Sequence, residues 1–234
     1  QMWKKSKNRI KWLQAVPFLK MVAVSGSLAM NNAKKESDID LLIIAKHKRI
    51  WTVRFLITLF FQIIGERRHG NKTAGRFCLN HYITDRSLKI SFSSLYNAQT
   101  YAHLFPILET EADIYKKFQT ENSWVNDFVL FYGNQKLNNK IRIKPNFVLR
   151  AIAKITELVL NTFLGKILEK ISETFQKKHI EKNLFKNRER GRILADDNQL
   201  EFHPASPETK IIDSYNKIVS LFNLSLTEKD SGLS

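Results

Sequence analysis

Four residues in the first forty, Gly26, Ser27, Asp38 and Asp40, have the types and spacing to do chemistry. On an extended strand alternate side chains share a face, so Asp38 and Asp40 project together, about 6.5–7 Å apart along the backbone. Two carboxylates that close repel unless a cation lies between them. Hard divalent ions such as Mg²⁺ or Mn²⁺ take oxygen ligands of this kind and support in-line displacement at phosphorus. A glycine at position 26 lets backbone approach a phosphate, and Ser27 adds a hydroxyl and an N–H. Ser37, just before the acids, joins Gly26 and Ser27 as a candidate phosphate ligand. No Gly-Lys-Ser/Thr follows the glycine, which excludes a P-loop. Leu41–Ile44 follow Asp40 where an EF-hand would need glycine.

These side chains need a scaffold. Phe18–Ser25, rich in Val and Met, reads as a buried strand that Gly26-Ser27 breaks. Leu28–Asn32 has room for one or two helical turns. Asp38–Ala45 reads as a second strand, with Ile39 and Leu41 turned to the core. Strands this close in sequence are expected to be neighbours in space. A helix over residues 48–64 and a third strand at Arg76–Thr84 complete the expected core.

The succession of buried strand, Gly-Ser, polar spacer, Ser-Asp-x-Asp and apolar strand resembles the DNA polymerase β-like nucleotidyltransferase superfamily. The likeness is close over residues 22–44 and loose over 18–92. It implies a small mixed sheet flanked by helices, with Asp38 and Asp40 as metal ligands and Gly26 and Ser27 on the nucleotide phosphates. It further implies an NTP as substrate and transfer of a nucleoside monophosphate to an acceptor. RNA ends, protein hydroxyls and small molecules all serve as acceptors among such proteins. The superfamily also carries a third carboxylate on a later strand. Arg76–Thr84 contains neither Asp nor Glu. Asn80 is the candidate there, read with Cys78 and Tyr82 on its face and His81 opposite; Glu66 and Asp85 are the other options. Asn offers an oxygen but no charge and no base. The alternative reading is therefore a catalytically inactive fold that binds nucleotide or nucleic acid.

The net charge of +16 and pI near 9.9 favour polyanionic partners: nucleotides, RNA or an anionic membrane surface. Lys4–Lys11, Arg67-Arg68 and Lys182–Arg192 are the basic clusters. Two apolar stretches are not expected to insert stably in a membrane. Trp51–Ile64 is too short and contains Arg54 and Gln62; Val148–Ile171 is interrupted by Arg150, Lys154, Glu157, Lys166 and Lys170. The single cysteine, Cys78, suits a reducing, cytoplasmic setting and reads as a small buried hydrophobe. The six histidines lack zinc-site spacing.

The fold class expected is α/β (α+β): a mixed-sheet core over 1–92, then a helical domain over 93–234 with a short C-terminal hairpin. Met2–Ala15 reads as a basic amphipathic helix ended near Pro17. Leu88–Ser91 reads as a short strand, Ser94–Leu108 as a helix interrupted at Pro106, and Ala112–Asn122 as a helix. A long helix is expected to open with Pro145 at its first position, bend at Gly165 and reach His179. The hairpin is placed at Ile193–Phe202, turning at Asp196-Asp197-Asn198.

Overall fold

A computed structural model describes residues 1–70, 72–130, 132–133, 137–184, 192–203 and 208–222. Strand β1 (Leu19–Ser25) buries Val22 and Val24 on one face and Met21 and Ala23 on the other, which requires helices on both sides. β2 (Ile39–Ala45) pairs antiparallel with β1 and parallel with β3 (Phe77–Thr84). A parallel pair needs a crossover, and α3 (Ile50–Ile63) supplies it. The α1 helix (Met2–Ile10) and the 3₁₀ segment Lys11–Ala15 share α3's side of the sheet. There Ile10, Leu13, Trp51, Ile57 and Phe61 meet Val22, Leu41, Ile43 and Tyr82. Between β1 and β2 lies the short α2 (Gly26–Ala29).

The segment read as one helix from Ser94 to Leu108 divides. α4 (Leu95–Ala102) is capped by Ser94 and stops, and Phe105–Glu109 forms β4, antiparallel to β1. Pro106 cannot donate to a ladder or continue a helix, so it sits on the strand at the sheet's edge. The strand expected at Leu88–Ser91 does not form. The Asn122 side-chain amide takes the place of a neighbouring strand, accepting from Ile90 N–H and donating to Leu88 O, both at 2.8 Å. α5 (Ile114–Glu121) packs with α4 on this second face, around Tyr101 and Phe118.

Asn146, rather than Pro145, begins the next helix as its N-cap, accepting from Leu149 N–H. Instead of one bent rod there are two helices, α6 (Phe147–Leu160) and α7 (Phe163–Leu184). The break precedes Gly165. Arg49 donates to both Leu160 O and Gly165 O, and a Cβ at Gly165 would lie 1.7 Å from Leu160 O. β5 (Arg192–Ala195) and β6 (Gln199–His203) form the expected hairpin, and β6 adds antiparallel to β3. The sheet order is β4-β1-β2-β3-β6-β5, so it takes strands from both sides of residue 92. α8 (Glu208–Ser220) packs against α4. A mixed sheet followed by a mainly helical C-terminal region is thus the architecture. Residues 185–191 of the basic stretch lie outside the described residues.

Candidate active site

Three strand ends converge. Ser25 leaves β1 extended and Gly26 turns with φ +63°, a left-handed conformation that glycine adopts without a side-chain clash. A Cβ there would stand 2.5 Å from Asp40 Oδ2, so the bend lies directly against the second acid. Ile39 and Leu41 are fully buried in the core beneath, which turns Asp38 and Asp40 to the opposite side as alternation requires. Ser27 is half-buried in the first turn of α2. The Ser37 hydroxyl accepts from Lys34 N–H at 2.9 Å, and Ser37 O accepts from Gly75 N–H at 2.7 Å, so this residue ties together two loops of the rim.

Asp40 stands opposite Cys78 in the parallel ladder, and one ligand atom from each of Asp38, Asp40 and Cys78 lies within 4.8 Å of the others. The position beside the two acids is therefore filled by a thiol. The reading of β3's faces needs correction. The register shifts between Asp40 and Leu42, inserting a residue into β3 near Leu79 and Asn80, and an insertion flips alternation beyond it. His81 consequently contacts Tyr101, on the side of Leu42, while Tyr82 enters the opposite core beside Ile43. Asn80 itself is half-buried at this irregularity. The other carboxylates considered lie elsewhere. Glu66 takes a two-oxygen hydrogen bond from Arg9, and Asp85 accepts from His47 N–H at the far end of β2.

Arg68 was legible only as part of a basic cluster. The loop after α3 runs back beside β3, with Arg68 N–H bonded to Phe77 O at 2.9 Å. Its guanidinium donates to Asp38 Oδ2 at 2.7 Å and to Cys78 Sγ at 3.3 Å. Arg9–Glu66 and a Lys5 hydrogen bond to Gly75 O pin this loop to α1.

The electrostatics follow from crowding. Burial, and then the charge of Asp38, raise the Asp40 carboxyl to about 6, with the Cys78 thiol and Arg68 partly offsetting them. Burial and the charge of Asp40 push the Cys78 thiol far above its ordinary value, so it remains a neutral S–H. The donor set fits a hard divalent ion through its two carboxylates, whose mutual repulsion the ion would relieve. Cys78 adds neither a hard ligand nor a base. The Arg68–Asp38 pair is partly exposed, and such pairs contribute about 0–1 kcal/mol, too little to hold Asp38 against a divalent cation.

The profile of the nucleotidyltransferase domain matches residues 4–188. The chain belongs to this family. It is thereby a member of the DNA polymerase β-like nucleotidyltransferase superfamily. No curated protein and no solved structure is significantly similar to it.

Proposed function

We propose that this nucleotidyltransferase moves a nucleoside monophosphate from ATP or another NTP to an acceptor hydroxyl, breaking the α–β phosphoanhydride bond and releasing pyrophosphate and the hydroxyl proton, with Mg²⁺ or Mn²⁺ held by Asp38 and Asp40. The supporting observation is the closeness of the two carboxylates to the left-handed bend at Gly26. Bound there, a divalent ion would neutralise phosphate charge and stabilise the attacking and leaving oxygens. Gly26 leaves space beside the acids, Ser27 offers a hydroxyl and an N–H to phosphate, and Arg68 brings a permanent cation to the same rim. Residues 1–92 supply every one of these groups. A cytoplasmic enzyme fits this reading, since NTPs are plentiful there and Cys78 stays reduced. RNA or another polyanion is the acceptor class that the net charge of +16 favours. The test is transfer of label from [α-³²P]NTPs to RNA, protein and small-molecule acceptors. Activity that persists in an Asp38→Asn/Asp40→Asn double variant would refute it.

One observation favours a second reading, a silent fold that binds nucleotide without turning it over: the group that closes the cluster with the two acids is a thiol and not a carboxylate. Saturable NTP binding with no transfer to any acceptor would select it.

A further inference from the structure

The outer faces of α6 and α7 are apolar and unpartnered among the described residues. Phe147 is 87% exposed, Leu158 and Phe163 each 72%, and Ile155, Leu164 and Phe175 are also open to solvent. α6 rests on the 3₁₀ segment and α7 on α3, so both outer faces look away from the same side of the sheet.

The charges on this pair of helices are sorted. Three of its four acids are half-buried, Glu181 near the end of α7 being exposed: Glu157 accepts from Phe18 N–H, and Glu169 from the N–H groups of Trp51 and Thr52. Its lysines turn outward except Lys177, which lies over the Trp51 ring. Lys154 is 72% exposed against 19% for its partner Glu157, and Lys170 is 74% exposed against 14% for Glu173. The apolar face continues at Val148 into a cavity of about 870 Å³ lined by Lys7, Lys11, Arg142, Lys144 and the half-exposed Trp12, with no acid among its described lining residues.

We infer that this face is a peripheral membrane surface that seats the protein on anionic lipid. Apolar side chains enter the acyl boundary, flanking lysines reach back to headgroups, and an interfacial Trp marks the rim. Charge complementarity favours lipid over a second copy of the chain, because two molecules of charge +16 repel. No helix among the described residues is long and apolar enough to cross a membrane, so the contact is with the surface. The inference stands apart from nucleotidyl transfer, which it neither needs nor tests.

The experiment is co-sedimentation of the full chain with vesicles of phosphatidylcholine containing about a third phosphatidylglycerol, at physiological salt. Binding should be at least tenfold tighter than to phosphatidylcholine alone. It should fall at least tenfold in Ile155→Ser/Leu158→Ser/Phe163→Ser, with thermal unfolding unchanged. Should that variant misfold, Lys11→Glu/Lys144→Glu must show the loss instead. Brominated lipid should quench fluorescence that Trp12→Phe removes. Absent binding, equal binding to neutral vesicles, or binding unaffected by either variant overturns the inference. So does a stable dimer that the serine variant dissociates while vesicles are ignored, or retention of single-stranded RNA without lipid binding.

Discussion

Cys78 faces Asp40 across the parallel ladder of β2 and β3, and its sulfur closes a cluster with the two aspartates. A carboxylate there would make the cluster one of three acids; the sequence supplies a thiol whose ionisation burial disfavours.

If Asp38 and Asp40 hold the metal as proposed, Cys78→Asp should supply a third carboxylate ligand. In the presence of Mg²⁺ it should raise turnover at least tenfold, while Cys78→Ser changes it little. Without metal the added carboxylate crowds two others, so thermal unfolding should come earlier and recover on adding Mg²⁺. Steady-state transfer assays and calorimetry check both halves. A serine variant as active as the aspartate variant would remove Cys78 from this role.

Asp40 makes stability fall as pH rises. Its carboxyl shifts from 3.8 to about 6 on folding. Below the unfolded value both states hold the proton and nothing is lost. Between the two values the unfolded chain releases it first, so each step up in pH favours unfolding, and the loss levels off above the folded value. With its partial exposure discounted, the penalty is on the order of 2 kcal/mol at pH 8. Asp40→Asn should be more stable than the parent by about that amount at pH 8, with the gain shrinking toward pH 4, in metal-free urea titrations.

The bend at Gly26 has a built-in control. Gly26→Ala meets Asp40 Oδ2 and suffers an unfavourable φ; Gly75→Ala suffers a similar φ of +62° with nothing within 4 Å. Each should lose about 1–2 kcal/mol of stability from backbone strain. Only Gly26→Ala should also lose transfer activity, by two orders of magnitude or more, because it displaces Asp40, the metal ligand proposed above. Paired melting curves and rate measurements separate the two costs.

Arg68 is paired with Asp38, so a divalent ion bound there as proposed would have to compete with it. Removing its charge in Arg68→Ala should tighten Mn²⁺ binding several-fold, read by electron paramagnetic resonance of the free ion. The same variant should raise KM for the NTP, since one cation beside the phosphates is gone. Weaker Mn²⁺ binding would mean that Arg68 organises the site rather than opposing the metal.

The first two strands and the bend between them were legible because the local rules agree. Alternation puts Ile39 and Leu41 inside and the acids outside, and glycine marks the turn. Legibility ended where distant groups decide. A helix-like pattern hid β4, whose Pro106 is tolerated because nothing in the named strands lies beyond β4. Strand parity through Asn80 misassigned His81 and Tyr82, because an inserted residue leaves no mark on composition. Arg68 reaches Asp38 through a loop pinned by Arg9 and Glu66, a relation between positions far apart in the chain. Asn122 displaces the expected strand at Leu88–Ser91 by side-chain hydrogen bonds alone.

The hairpin of β5 and β6 reaches the sheet late in the chain yet covers the outer edge of β3, the strand that carries Cys78. A ribosome would have made most of the protein before that edge was sheltered. Until then β3 presents a bare ladder to any passing strand, so fragments cut after the first ninety or so residues invite edge-to-edge aggregation. Anyone expressing the strands around Asp38 and Asp40 alone should keep the last strands attached.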